Sequence, residues 1–219
     1  MKTADELRAQ IHALLDNHKY GEAYEVLNVQ LQEFTDKKNR DMLLFAEVAG
    51  SFITLGNEAY NEDAVNVGLQ LFQDNRDVLT KFVTAYSIDY CIGNGIHALY
   101  KIAIKDKPYH YPTPEIVKEY LFSSKAAYFR AYKALDTKQL DDFSIKVLTN
   151  LASELNHAGR IVEALQLFDT VLAYSPGFPQ AIASKADCLE WMMRTTDCQL
   201  TINLFVNIYS LYKRALQKN

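Results

Sequence analysis

Hydrophobic residues recur every three to four positions across residues 145–178, with polar residues between them. Leu151 and Leu155 lie four positions apart, so they share one face of a helix. Gly159 interrupts the pattern, because glycine weakens a helix interior and favours a turn. A second apolar face follows, formed by Ala164, Leu167, Phe168 and Val171. This stretch therefore predicts two antiparallel helices joined by a short turn.

Similar patterns along the rest of the chain divide it into helical units of comparable length. These units are predicted at residues 4–37, 41–75, 78–135, 145–178 and 179–219. Residues 104–113 contain prolines and interrupt the third unit, so they are predicted to form a loop insertion. A single helical pair cannot bury its own apolar face, and the units are therefore expected to stack on one another.

Local signals predict where several helices begin and end. Gly56 suits the C-terminal cap of the first helix in the second unit, and Asn61 or Asp63 suits the N-terminal cap of the next helix. A long helix is expected at about 114–135, after the insertion. Its core face is predicted to contain Ile116, Tyr120, Ala127, Ala131 and Ala134.

Two glycines, Gly93 and Gly95, stand inside the apolar helical run at residues 78–103. Each costs about 1 kcal/mol relative to alanine in a helix interior, so a compensating gain is expected. Close packing against a neighbouring helix is the favoured explanation. A backbone surface left open for a ligand is the alternative.

Residues 145–178 resemble a repeat of the tetratricopeptide family. The matching positions are Ala152, Gly159, Ala164, Phe168 and Pro176. Leu155 departs from the pattern, because it stands where the family has an aromatic residue. The resemblance implies an all-α fold, a right-handed superhelix (α-solenoid) of about five helical pairs. It also implies that residues 1–219 form a single repeat domain.

Ligands of this family lie on the concave surface that the first helices of the repeats line, so the resemblance implies a binding groove. The groove positions are Tyr90, Asn94, His97, Lys146, Asn150, Ser153, Asn156, His157 and Asp187. Asn94 and Asn150 resemble the asparagines with which some members hold a peptide backbone or terminal carboxylate. The alternative for Asn94 is a bond to a neighbouring helix. The alternative for His97 and His157 is a partly buried, hydrogen-bonded structural role.

Two further surfaces are candidates for interfaces. Tyr109 and Tyr111 lie in the insertion, and tyrosine suits interfaces because it offers contact area together with a polar group. Alternatively, these tyrosines pack the loop onto the long helix. The last helix has no polar capping helix after it, so the sequence predicts either a longer protein or a homodimer formed through the C-terminal end.

Residues 90–95, Tyr-Cys-Ile-Gly-Asn-Gly, resemble a second group of proteins. The segment is similar to what precedes the HEPN-type ribonuclease domain of some bacterial repeat proteins in defence systems. This resemblance implies an alternative function, in which the chain is the sensor or regulatory region of a larger protein. The nuclease itself would then lie outside this sequence.

Composition narrows the function classes. The chain has 219 residues and 49% of them are hydrophobic, which is enough for a sizeable core. Its formal net charge of −4 argues against sequence-independent nucleic-acid binding, which needs a basic surface. The chain lacks a secretory signal and an apolar run long enough to cross a membrane, so a cytoplasmic protein is predicted.

Catalytic and metal-binding patterns are missing from the sequence. The three cysteines form no CxxC pair and the five histidines share no metal-like spacing with them, so neither a disulfide framework nor a zinc site is expected. No phosphate-binding loop follows a strand, and neither HExxH nor GxSxG occurs. The sequence therefore predicts a non-catalytic scaffold without cofactors, which binds a protein or peptide and contacts neither nucleic acid nor membrane directly.

Overall fold

The computed structural model describes residues 2–35, 41–105, 115–136, 140–195, 206–211 and 213. Within these ranges the chain forms α-helices and no β-strand. The helices are α1 (Ala4–Asp16), α2 (Tyr20–Thr35), α3 (Met42–Ala59), α4 (Glu62–Asp74), α5 (Arg76–Leu79), α6 (Ala85–Ile104), α7 (Glu115–Lys133), α8 (Asp142–His157), α9 (Ile161–Tyr174) and α10 (Pro179–Thr195). Residues 206–211 are also helical. The predicted all-α class is confirmed.

Polar side chains set the start of several helices. Thr3 and Glu6 form a capping box at α1, in which each side chain bonds the backbone N–H of the other residue. Asn61 caps α4 by accepting from the backbone N–H of Ala64 at 3.0 Å, so it is the residue that fills the expected cap. Asp41 and Asp141 cap α3 and α8 in the same way. These caps satisfy N–H groups that a helix leaves without intrahelical partners.

The chain divides into two compact units, Met1–Ala131 and Tyr132–Asn219. In the first unit, α1 and α2 pack on α3, and α3 and α4 pack on α6. A continuous apolar core runs through these helices and includes Leu7, Phe52 and Ile88. Packing of each helical pair on the next is the arrangement of a helical repeat protein.

In the second unit, α8 packs on α9, and α10 packs on both of them. The helical segment at 206–211 adds Ile208 and Leu211 to an apolar cluster on α10, which contributes Ile182, Ala186 and Leu189. The second unit therefore repeats the scheme of the first, in which each helix is held by its neighbours. The assignment of residues 1–219 to a single domain stays a prediction.

The end of α3 differs from the prediction. The helix continues past Gly56 to Ala59, and Tyr60 takes the left-handed cap conformation with φ 52°. Gly56 therefore lies inside the helix, and its prediction as the cap was wrong. A Cβ atom on Gly56 would lie 2.7 Å from the backbone nitrogen of Val65. This glycine allows α3 and α4 to approach closely where they meet.

The buried face of α7 is also corrected. Tyr120 packs against the core, and Ala127 and Ala131 are buried, as predicted. Ile116, however, is 52% exposed and Ala134 is exposed, whereas Val117 and Tyr128 are buried. The neighbouring helices determine which side of α7 is covered, and periodicity alone placed this face slightly out of register.

Candidate functional site

Three predicted site residues, Tyr90, Asn94 and His97, lie on one face of α6 and are half-buried. The hydroxyl of Tyr128 on α7 donates to Asn94 Oδ1 at 2.7 Å, and the ring centroids of Tyr90 and Tyr128 are 6.0 Å apart. The ring of His97 lies 5.8 Å from that of Tyr100. The α6 face thus contacts α7, and Asn94 makes the bond to a neighbouring helix that was the alternative to ligand binding.

The two glycines of α6 explain how the helices come this close. A Cβ atom on Gly93 would lie 2.6 Å from Cε1 of Tyr128, and one on Gly95 would lie 2.6 Å from Cδ2 of Leu69 on α4. Any side chain at either position would overlap its neighbour. The favoured explanation of these glycines, close helix packing, is confirmed.

In the second unit, four predicted site residues form a row along α8. Lys146, Asn150, Ser153 and His157 are three or four positions apart, so they share one side of the helix. Lys146 and His157 are exposed, and Asn150 and Ser153 are half-buried. The opposite side of α8 is apolar and buried, with Val147, Leu148, Leu151, Ala152 and Leu155. The polar row therefore stands on a packed helix.

The row on α8 lies beside polar residues of α10. Gln180 Nε2 donates to Asn150 Oδ1 at 3.3 Å, which joins the two helices. Asp187 is exposed on α10, seven positions beyond Gln180 and therefore on the same side of the helix. We call this surface, formed by Lys146, Asn150, Ser153, His157, Gln180 and Asp187, the α8–α10 surface.

Ser153 and Asn156, two predicted site residues of α8, differ in what they can offer a ligand. The hydroxyl of Ser153 donates to the carbonyl of Thr149 at 3.1 Å, within α8. Its oxygen can still accept a hydrogen bond from a ligand. Asn156 Oδ1 is buried and accepts no hydrogen bond from any residue that the structure describes. Ser153 thus offers one hydrogen-bond acceptor to a ligand of the α8–α10 surface, whereas the buried Asn156 Oδ1 is closed to it.

The predicted site residues fall into separate groups. Tyr90, Asn94 and His97 belong to the first unit, and the α8–α10 surface belongs to the second. A groove that continues from one group to the other stays a prediction. Tyr109 and Tyr111 lie outside the described residues, so the interface predicted for them also stays a prediction.

A charged cluster in the first unit was not predicted. Asp89 on α6 is only 4% exposed. Arg76 on α5 donates to both of its carboxylate oxygens, at 3.1 and 2.9 Å, and Arg130 on α7 donates through Nε at 3.0 Å. We call these three residues the Asp89 cluster. The sequence does contain one signal of this cluster, because Asp89 lies inside the apolar helical run at residues 78–103. A carboxylate buried in such a run needs a charged or hydrogen-bonding partner.

An open pocket of about 400 Å³ adjoins this cluster. It is lined by Gln73, Arg76, Ile92, Ile96, Ser123, Ala126 and Arg130. We call it the arginine pocket. No pattern in the sequence predicts this pocket, because its lining residues come from α4 to α7 and meet only in the folded chain.

The described thiols are poor nucleophiles. Burial, with a smaller effect of the Glu47 charge, raises the pKa of Cys91 to about 12. Burial, with a smaller effect of Asp187, raises the pKa of Cys188 to about 11. The thiolate is the reactive form, and a raised pKa keeps most of each thiol protonated near neutral pH.

The described part of the chain shows neither a metal-binding cluster nor a membrane-spanning helix. Its His, Cys, Asp and Glu residues form no group that could hold a metal ion. None of its helices combines the length and the apolar character needed to cross a membrane.

No protein family matches the sequence, and no curated protein matches it. Among solved structures, the chain is similar to the TPR2AB-domain:pHSP90 complex of yeast Sti1, at 20% identity over 99% of this chain and 86% of that chain. The TM-score is 0.31, which does not define a common fold. The all-α repeat architecture therefore rests on the helices described above.

Proposed function

We propose that this chain is a non-catalytic scaffold that binds a peptide segment of a protein partner on the α8–α10 surface. The observation that carries this proposal is the 3.3 Å bond between Gln180 and Asn150, which places amide groups of two neighbouring helices side by side. A side-chain amide has the same donor and acceptor types as a peptide bond. A peptide backbone can therefore replace this bond with its own bonds to both amides.

Charged and polar neighbours favour a particular kind of segment. Lys146 lies one turn before Asn150 on α8, and Asp187 lies two turns after Gln180 on α10. Exposed groups of both signs select a polar segment with complementary charges over a purely apolar one. Ser153 supplies a further hydroxyl acceptor on the same surface.

The packing beneath the surface favours binding with little loss of entropy. Leu148 and Leu151 on α8 and Ile182 and Ala186 on α10 are buried, so both helices are held before a ligand arrives. A receptor that is already ordered keeps more of the interaction energy as affinity.

The test is selection of peptides from a displayed random library on the full chain. Affinities of selected peptides are then measured by fluorescence anisotropy for the wild type and for the Asn150→Ala, Gln180→Ala double variant. Each lost hydrogen bond contributes about 1 kcal/mol and the double variant loses two, so we expect roughly thirtyfold weaker binding. The matched control is Gln166→Ala with Thr170→Ala, which removes two exposed polar side chains from α9.

Both variants are first compared with the wild type by circular dichroism, because equal helical content excludes unfolding as the cause. Equal binding by the double variant and the wild type would contradict the proposal, as would failure to select any peptide. The alternative function, a regulatory region of a larger nuclease, concerns residues outside this sequence and stays a prediction.

A further inference from the structure

We propose that the arginine pocket of the first unit binds an oxoanion, the carboxylate or phosphate of an acidic peptide side chain. This site is separate from the α8–α10 surface, since all of its lining residues lie within Met1–Ala131. The proposal rests on the charge of the pocket, the geometry of its arginines and the apolar wall beside them.

The charge of the pocket is positive. Two guanidinium groups, Arg76 and Arg130, share the single carboxylate of Asp89. The other lining residues are Gln73, Ile92, Ile96, Ser123 and Ala126, which carry no charge. The cluster therefore keeps one net positive charge beside an open cavity, and an anion is the complementary ligand.

The two arginines differ in how they meet Asp89. Arg76 already pairs with both carboxylate oxygens, and its side chain is 35% exposed. Arg130 uses Nε alone and stays 53% exposed, whereas the side chain of Asp89 is 6% exposed. Arg76 alone balances the charge of Asp89 and bonds both of its oxygens, so Arg130 adds the second positive charge of the cluster.

The guanidinium of Arg130 is also held in place. Its bond to the buried Asp89 fixes Nε, and no other hydrogen bond joins Arg130 to the residues that the structure describes. A fixed guanidinium edge matches the two oxygens of a carboxylate or phosphate. Arg130 is therefore the residue that contacts the anion in this proposal, and Arg76 supplies the second charge.

The uncharged part of the lining indicates which kind of ligand bears the anionic group. Ile92 and Ile96 on α6 and Ala126 on α7 form an apolar wall, and Ser123 adds a hydroxyl. A volume of about 400 Å³ lies within the range of small-ligand pockets. An acidic side chain with an aliphatic neighbour fits this combination of a charged end and an apolar side.

The test uses the full chain and three fluorescein-labelled peptides that differ at one central residue between leucines: phosphoserine, glutamate or serine. Binding is measured by fluorescence anisotropy at low salt. We expect binding of an acidic peptide, no binding of the serine peptide, and weaker binding as salt rises because the charges are exposed. Competition by inorganic phosphate and by acetate identifies the preferred anion.

Two variants locate the site. Arg130→Gln keeps the bidentate Arg76–Asp89 pair, and it is expected to weaken binding roughly tenfold to a hundredfold, as loss of a charged hydrogen bond does. Its control is Arg160→Gln, which removes an arginine of similar exposure (56%) from the second unit. Ala126→Glu places a carboxylate in the pocket and is expected to abolish binding, while Ala173→Glu on the exposed side of α9 leaves it unchanged.

Preference for the phosphoserine peptide would assign phosphate, and preference for the glutamate peptide would assign carboxylate. The proposal is overturned if neither acidic peptide binds, or if Arg130→Gln and Arg160→Gln reduce affinity equally while circular dichroism shows both variants folded. The Asn150→Ala, Gln180→Ala variant is expected to bind the acidic peptide normally. Failure here is therefore distinct from failure of the function proposed for the second unit.

Discussion

At the scale of single residues, glycines decide how closely the helices approach. Gly93→Ala would place a Cβ atom 2.6 Å from the buried ring of Tyr128, which is also tied to Asn94. Overpacking of this kind costs about 1–3 kcal/mol of unfolding free energy. Alanine regains about 0.5–1 kcal/mol in any helix interior, so we expect a net loss of up to about 2 kcal/mol in urea unfolding followed by circular dichroism.

The matched control for this prediction is Gly50→Ala, inside α3, where nothing lies within 4 Å of an added Cβ atom. Alanine at this position removes only the cost of glycine in a helix interior. The free energy of unfolding of the variant should therefore rise by about 0.5–1 kcal/mol. Equal effects of the two substitutions would contradict the packing explanation of Gly93.

The sequence could predict this packing only in part. Glycines inside an apolar helical run indicate a close contact, because helix propensity argues against them. The identity of the contact is a tertiary fact, since Tyr128 lies on another helix and reaches both Gly93 and Asn94. Asn94 illustrates the same limit, because ligand binding and a helix–helix bond require the same residue type.

At the scale of helices, local signals were informative where a neighbour in sequence completes the interaction. Asn61 caps α4 as predicted, because its bond reaches only to Ala64. The end of α3 at Ala59 and the exposed position of Ile116 on α7 were missed. Both depend on the helix packed alongside, which periodicity does not specify.

The cap of α8 gives a prediction that depends on pH. The hydroxyl and then the backbone N–H of Ser144 donate to Asp141, at 2.6 and 2.7 Å, and lower the pKa of this carboxyl below its usual value of 3.8. A lowered pKa means that folding favours the carboxylate, so its stabilisation is present above pH 3.8 and is lost below it. We expect Asp141→Ala to cost about 1 kcal/mol at pH 7.

This cost should shrink as the pH falls from 3.8 through the lower pKa of the folded carboxyl, because the wild-type Asp141 then becomes neutral as well. Urea unfolding of the wild type and the variant at pH 7 and at a pH below 3.8 measures this change in cost. Asp142→Ala is the matched control, because it removes the same charge from the first turn of α8 without removing the capping side chain. An equal cost for both variants at pH 7 would show that the helix dipole, not the cap, accounts for the effect.

At the scale of the whole molecule, the Asp89 cluster shows what a single sequence does not reveal. Its bonds join residues 13 and 41 positions apart, on three different helices. A buried aspartate can be suspected from the apolar residues around it, but its partners are chosen by the packing of α5, α6 and α7. The arginine pocket results from the same packing, so no pattern in the sequence predicts it.

The two compact units also allow a prediction about how the chain opens. Cys91 lies in the first unit and Cys188 in the second, and burial raises the pKa of each, to about 12 and about 11. Labelling of either thiol at pH 8 should therefore be much slower than that of an exposed cysteine. Cys188 is fully buried and Cys91 is partly buried, so local opening should accelerate the labelling of each. Iodoacetamide labelling followed by peptide mass spectrometry measures the two rates in one experiment, on a Cys198→Ser background.

Because the stability of a repeat protein is close to a sum over neighbouring contacts, a local loss should stay local. Gly93→Ala disturbs the first unit, so it is expected to accelerate labelling of Cys91 by about tenfold for each 1.4 kcal/mol lost. Labelling of Cys188 should change much less. Gly50→Ala is the control, because it stabilises the same unit and should therefore slow the labelling of Cys91. Equal acceleration at both cysteines would instead mean that the two units open together, as one cooperative structure.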